Sequence, residues 1–331
     1  MRVLVTGGTG FIGAWSAKAA VDAGHQVRFL VRDPARLTTS AAEIGLDTSD
    51  YAVGDITDGE SVRRAMTGCD AVIHAAAVVA VDPRRADEMM ETNLAGAENV
   101  LGTAVGLGLD PVVYVSSIAA LFQSGLGMLS ADLPVHGASD AYGQSKARVE
   151  LYARGMQAAG APIAITYPGM VIGPPAGNQF GEAAQAVEAA VQLRGLPGRG
   201  ATWTMVDVRD VAAAHAALLE PGRGARRFML GGHRMSIGDV ARILGSVTGR
   251  TMITIPVPDT ALRMAGRLMD VVERFVPFET PVTEAAMEYY TRMPDTDDAP
   301  SEEELGVKYR DPAQTLADAV TGLAEVGRIR V

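Results

Sequence analysis

Up to Pro168 the chain alternates short apolar runs with longer stretches in which apolar side chains return every three or four positions. The short runs predict strands at 3–5, 26–31, 51–54, 71–74, 112–116 and 163–167. The longer stretches predict helices near 11–23, 59–67, 84–107 and 141–159. This is the rhythm of βαβ units, and it implies an α/β fold built on a doubly wound parallel sheet. Beyond Pro168 the pattern loosens. Residues 173–203 are rich in Gly and Pro around an Ala-rich helix at 182–193, which suggests a segment covering the cleft. A helix at 236–248 opens on Ser236 as N-cap, with Asp239 where a capping box would carry Glu. Pro256 and Pro258 precede an amphipathic helix at 261–274. Its stripe of Leu262, Met264, Ala265, Leu268, Met269 and Val272 is read as a core or subunit-contact face. The acidic run at 295–304 is read as a solvated loop leading into a helix.

Composition narrows the partners. The chain has 331 residues, 48% of them hydrophobic, enough for a substantial core in one large or two modest domains. The formal net charge of −10 argues against nucleic acid as a partner, because such binders present a basic face. A single cysteine, Cys69, excludes an intrachain disulfide and a Cys-rich zinc site, and is expected to be a small packing residue. The sequence starts directly on a strand, with no signal-like segment and no apolar run long enough to span a membrane. A cytoplasmic protein is expected, without a metal.

Residues 6–13 read Thr-Gly-Gly-Thr-Gly-Phe-Ile-Gly between a strand and a helix. Glycines let the backbone approach closely, while free N–H groups and the positive end of the helix favour a phosphate group. Gly7, Gly10 and Gly13 stand three apart, unlike the G-x-G-x-x-G of ordinary dinucleotide-binding turns. The strand ends carry Gly54-Asp55, Ala75-Ala76-Ala77, Ser116-Ser117 and Pro168-Gly169, where ligands of such sheets bind. Tyr142 and Lys146, four apart on a helix, share a face. A lysine ammonium beside the phenol is expected to lower its pKa, and Ser117 is placed to orient a carbonyl that Tyr142 protonates.

These motifs, together with Tyr-Pro-Gly-Met-Val-Ile-Gly-Pro at 167–174, resemble the extended short-chain dehydrogenase/reductases over roughly residues 1–220. The resemblance implies a Rossmann-type NAD(P) domain at 1–172 bearing Ser117, Tyr142 and Lys146 as catalytic residues. A substrate-binding and lid region would follow at 173–331, with a segment near 201–220 returning to the core. It further implies that Gly7, Gly10, Phe11, Ile12 and Gly13 line the pyrophosphate and that Asp55 and Ile56 flank adenine. Ala75, Ala76 and Ala77 would meet the ribose and diphosphate, Pro168 and Val171 the nicotinamide, and Lys146 its ribose, with Ser116 and Tyr142 also at the cofactor. His74 is expected to pack and Asn93 to tie backbone.

Arg32 stands where an NAD-selecting acidic residue would end the second strand, and Arg36 follows one helical turn later. Both can meet a 2′-phosphate, so NADP is the expected cofactor, with NAD as the alternative and Asp33 within reach of a ribose hydroxyl. Val-Arg-Asp-Pro at 31–34 resembles the dihydroflavonol reductase and cinnamoyl-CoA reductase branch, yet Phe122 replaces the polar Asn of the plant flavonoid enzymes. With Leu121, Leu126, Met128 and Leu129 nearby, Phe122 implies an apolar substrate pocket. The expected activity is NADPH-dependent reduction of a small ketone or aldehyde. The alternatives are a nucleotide-sugar epimerase or dehydratase, a 3-beta-hydroxysteroid dehydrogenase, and a non-catalytic NADP-binding sensor. The family resemblance also suggests a homodimer through the helices at 84–107 and 141–159.

Overall fold

The computed structural model describes residues 1–79, 85–138, 140–273 and 282–330. In chain order the first part comprises β1 (Arg2–Thr6), α1 (Phe11–Asp22), β2 (Gln26–Val31), α2 (Pro34–Ala42), β3 (Tyr51–Val53), α3 (Gly59–Met66), β4 (Ala71–His74), α4 (Ala86–Gly106), β5 (Val112–Val115), β6 (Met128–Leu129), α5 (Ala141–Ala158) and β7 (Ile163–Pro168). The second comprises β8 (Met170–Ile172), α6 (Ala184–Leu193), β9 (Gly195–Pro197), β10 (Thr202–Asp207), α7 (Val208–Ala217), β11 (Arg226–Leu230), β12 (His233–Ser236), α8 (Ile237–Thr248), β13 (Ile253–Ile255), α9 (Asp259–Glu273), α10 (Glu284–Arg292), β14 (Asp295–Thr296), α11 (Ala299–Leu305) and α12 (Pro312–Glu325). Arg84 and Arg274, at the ends of two expected helices, lie outside the described residues.

Seven strands form one parallel sheet in the order β11-β7-β5-β4-β1-β2-β3. Strand order reverses at β1, which lies between β2 and β4, and the carboxyl ends of β1 and β4 therefore open the ligand crevice of this architecture. Alternation along each strand feeds two cores. Leu4, Val72 and Val112 face a cluster with Val62, Ala97, Val100 and Val149 from α3, α4 and α5. Val3, Val5, Ile73 and Val113 face the opposite cluster with Ala17, Ala20 and Leu37 from α1 and α2. α7 lies along α1, and buried His215 of α7 bonds Ser16 of α1 through Nδ1 (2.8 Å) and Thr166 of β7 through Nε2 (3.0 Å). Burial pushes that imidazole down to about 3, so it is a neutral structural link.

The C-terminal part corrects two expectations. The acidic run is no solvated loop at its start: β14 pairs with β6, and Asp298 accepts hydrogen bonds from the Gly231 amide (2.7 Å), the Thr296 hydroxyl (2.5 Å) and the Tyr309 phenol (3.0 Å). Its carboxylate sits inside a polar knot in the middle of the run, while Asp295 at the start and Glu302, Glu303 and Glu304 on α11 face solvent. The apolar stripe of α9 is not a core face of this chain, because Met264 and Leu268 are 69% and 62% exposed, an exposure with which the alternative of a subunit-contact face is compatible. The helix instead packs through Leu262 and Gly266. A Cβ at Gly266 would lie 2.6 Å from the Thr283 carbonyl oxygen at the start of α10, so close approach turns the stripe outward. Ser236 caps α8 as expected, accepting from the Asp239 amide (3.1 Å) while donating to the Asp239 carboxylate (2.7 Å).

Candidate active site

β1 delivers the chain to its glycine turn at the crevice. Gly7 has φ +79°, and a Cβ there would sit 2.6 Å from the Ala76 amide nitrogen and 2.7 Å from the Ala75 carbonyl carbon, so only glycine lets the turn lie against the end of β4. The Gly10 amide closes the turn onto the Gly7 carbonyl (2.8 Å). A Cβ at Gly13 would drive into that same carbonyl oxygen. Gly10 is the N-cap of α1 and offers no side-chain cap, so the first-turn N–H groups at Phe11, Ile12 and Gly13 remain presented to the crevice. An uncapped helix start over a cradle that any Cβ would fill suits a pyrophosphate.

The other expected cofactor residues surround this cradle unevenly. Ala75, Ala76 and Ala77 follow β4 with partly exposed backbone. Asp55 turns its carboxylate back on the Thr57 amide and hydroxyl (2.9 Å each), and Ile56 packs under Gly96. Arg32 projects from the end of β2, its side chain 73% exposed and 3.8 Å from Asp55. Arg36 is exposed on α2. Asp33 accepts the Ala35 amide (2.9 Å) as N-cap of α2 and is thereby engaged by the backbone. Pro168 closes β7 and Val171 lies in β8. His74 is buried, bonded through Nδ1 to Thr6 (2.7 Å), and burial pushes it down to about 3. Asn93 clamps both backbone groups of Val78 (2.7 and 2.9 Å) and donates to Ser145 (3.0 Å).

Ser116 and Ser117 end β5, and α5 brings Tyr142 and Lys146 to them. Ser117 caps a single 3₁₀ turn, accepting from the Ala119 amide (3.2 Å). Ser116 is buried beside the Tyr114 phenol. Asp140 starts α5 by accepting the Gly143 amide (2.9 Å). Lys146, only 8% exposed, donates to the Val115 carbonyl (3.2 Å), and its Nζ stands 5.9 Å from the ring centroids of both Tyr142 and Tyr114.

The electrostatics differ from the sequence expectation at Tyr142. Its phenol is pushed up to about 12, chiefly by burial. A hydrogen bond with Ser117 works the other way, and Glu182 and Asp140 push it further up. Lys146 does not lower it in this arrangement, because the ammonium is directed at Val115 and burial dominates. Burial also lowers Lys146 to about 8, against the opposing pull of Glu182 and then Glu150. Tyr142 is thus held in its neutral, protonated form.

Two residues at the site carry no sequence signal. Glu182, just before α6 in the Gly- and Pro-rich segment, is exposed, and its charge pushes both Lys146 and Tyr142 upward. Tyr289 of α10 donates to Asp140 (2.9 Å), and its ring lies 4.9 Å from that of Phe122. Phe122 itself is 2% exposed, so the aromatic wall nearest the Tyr142 end of α5 is Tyr289 backed by Phe122. No motif could have announced either, since each arrives by long-range packing. Among the described residues, no group of three His, Cys, Asp or Glu side chains could hold a metal ion, and no helix is long and apolar enough to cross a membrane.

The sequence profile of the NAD dependent epimerase/dehydratase family matches residues 3–232. A putative dihydroflavonol 4-reductase of Synechocystis sp. is 29% identical over 345 residues, covering 98% of this chain and 95% of that protein. Cinnamoyl-CoA reductase 1 of Oryza sativa subsp. japonica is 28% identical over 306 residues, covering 86% and 89%. The crystal structure of gox2253 has a similar fold, with a TM-score of 0.82 at 25% identity and 99% of each chain covered.

Proposed function

The chain belongs to the NAD dependent epimerase/dehydratase family and is an NAD(P)-dependent oxidoreductase, and from that premise we propose that it reduces the ketone or aldehyde of a fairly apolar small molecule with NADPH. What supports this most is the meeting of Ser117, Tyr142 and Lys146 at the carboxyl end of β5, beside the glycine cradle. The nicotinamide, when bound, supplies the hydride to the carbonyl carbon. Ser117 orients the carbonyl oxygen, and Tyr142, kept protonated by its surroundings, delivers a proton to it. Lys146 is held by Val115 at the base of the site, from which its ammonium can bind ribose hydroxyls. Phe122, Leu121 and Leu129 turn out to be core residues and do not line a pocket, because they pack into the cluster behind β5, so the apolar character of the substrate is supported only by the partly exposed ring of Tyr289. The test is a panel of aldehydes, ketones and steroids with purified protein, followed by loss of NADPH absorbance. Turnover confined to the oxidation of alcohols would overturn the reductase reading.

The preference for NADPH rests on Arg32 and Arg36. The 3.8 Å approach of Arg32 to Asp55 is loose and solvated, and a surface pair of this kind holds little energy. The guanidinium is therefore free to engage a 2′-phosphate. Arg32→Ala should weaken NADPH binding by about tenfold and leave NADH nearly unchanged. Parallel fluorescence titrations with the two nucleotides check this, and equal losses for both would refute it.

A pH dependence follows from Lys146. Its pKa is depressed to about 8, so the ammonium is present below that value and is lost as pH rises through it. The kcat/KM for reduction should therefore decline above about pH 8, because this ratio reports groups of the free enzyme. A pH–rate profile level up to pH 10 would exclude a role for the charged lysine.

A further inference from the structure

Tyr142 stands in the first turn of α5, the part of a helix whose N–H groups have no partner within the helix. Lys146, one turn further on, is tied to the Val115 carbonyl of β5 (3.2 Å), but that bond does not reach the first turn. The first turn depends on Asp140. One oxygen of its carboxylate accepts the Gly143 amide (2.9 Å), and its backbone carbonyl accepts the Gln144 amide (3.0 Å).

The other carboxylate oxygen accepts the Tyr289 phenol of α10 (2.9 Å), a bond across 149 residues of sequence. Tyr289 is fixed at its ring as well. The ring lies against Phe122, with centroids 4.9 Å apart, and Phe122 is buried just after the 3₁₀ turn that Ser117 caps. The hydroxyl seats over Gly143, where a Cβ would come within 3.0 Å of the phenol oxygen and 2.8 Å of the Ala138 amide nitrogen. Burial, and then the Asp140 carboxylate, push that phenol up, so it remains the donor of the pair.

Ser117 takes its place from β5 and its 3₁₀ turn, whereas Tyr142 takes its place from α5. Tyr289 touches both parts, Phe122 on the serine side and Asp140 on the tyrosine side. We propose that Tyr289 is a positioning residue for the reaction, holding Tyr142 in register with Ser117 through the Asp140 cap of α5. The inference rests on the reductase reading above.

Tyr289→Phe tests this, because it keeps the ring on Phe122 and removes only the bond to Asp140. The kcat for carbonyl reduction should fall about tenfold, while the substrate KM and the NADPH dissociation constant stay within about twofold, since a slightly misplaced proton donor slows chemistry and not binding. Asp140→Ala should lose at least as much, and adding Tyr289→Phe to it should cost nothing further. Asp140→Asn, whose side chain accepts from Gly143 and donates to Tyr289, should stay within about threefold of wild type. Amide hydrogen exchange reads the contact without turnover. Gly143 and Gln144 should exchange about tenfold faster in Tyr289→Phe, with Val149 further along α5 unchanged. Unaltered exchange at Gly143, faster exchange at wild-type kcat, or an Asp140→Asn variant as slow as Asp140→Ala overturns the inference and leaves the reductase reading standing. A wild-type chain that reduces no carbonyl overturns the reductase reading, and the exchange rates alone then decide whether Tyr289 holds the turn that carries Tyr142.

Discussion

Tyr142→Phe should keep NADPH affinity within about twofold of wild type and lower kcat by about 10²- to 10⁴-fold, the usual worth of a positioned proton donor. The substitution removes one oxygen and leaves the ring that Lys146 faces. Burial holds the phenol protonated well above neutral pH, the state a proton donor needs. Without it, water must protonate the developing alkoxide. Stopped-flow turnover alongside NADPH fluorescence titration separates binding from chemistry. Near-wild-type reduction by the variant would remove Tyr142 from the mechanism, and parallel loss of binding would recast it as a cofactor residue.

Gly13→Ala should be nearly as damaging, by a different route. Gly13 lies inside α1 and has no need of an unusual φ, so an added methyl acts only through space. That methyl would strike the Gly7 carbonyl oxygen, which also closes the turn by accepting the Gly10 amide. Relief requires shifting the turn away from Ala75 and Ala76, and overpacking of this kind costs about 1–3 kcal/mol. NADPH affinity should fall by about 100-fold, since the helix start and the turn no longer present their N–H groups together. Gly24→Ala is the control. It lies beyond α1, where a Cβ meets nothing, and although its φ of +88° brings backbone strain, the phosphate cradle is untouched. If Gly13→Ala binds NADPH like wild type, the cradle is not the pyrophosphate site.

The sheet was legible because its central strands β1, β4, β5 and β7 are buried on both faces and read as plain apolar runs, with ends marked by Gly, Ala and Ser. Gln26–Val31 and Ala71–His74 match the expected bounds, and Ser117, Tyr142 and Lys146 meet at the carboxyl end of β5. Legibility failed where long-range packing overrides local pattern. The stripe on α9 has good helical spacing, yet Gly266 offers a closer approach than any side chain and takes the buried face. The run at 295–304 is acidic enough to look solvated, yet Asp298 accepts from Gly231 at the end of β11 and from Tyr309 beyond α11, as well as from its neighbour Thr296. The sign of the Tyr142 shift also depends on burial, which spacing along a helix does not report. Glu182 and Tyr289 sit in unremarkable sequence and gain their meaning only from the fold around them.

Tyr289 has a wider implication. It lies beyond residue 232, where the match to the family profile ends, yet it donates to Asp140, the N-cap of α5. The portion matched by the family profile therefore does not by itself fix the start of α5, the helix that carries Tyr142 and Lys146. A change at Tyr289, far along the chain, would therefore reach the start of α5 through Asp140. Chimeras that exchange the C-terminal part between relatives would have to carry the Asp140–Tyr289 pair as a unit.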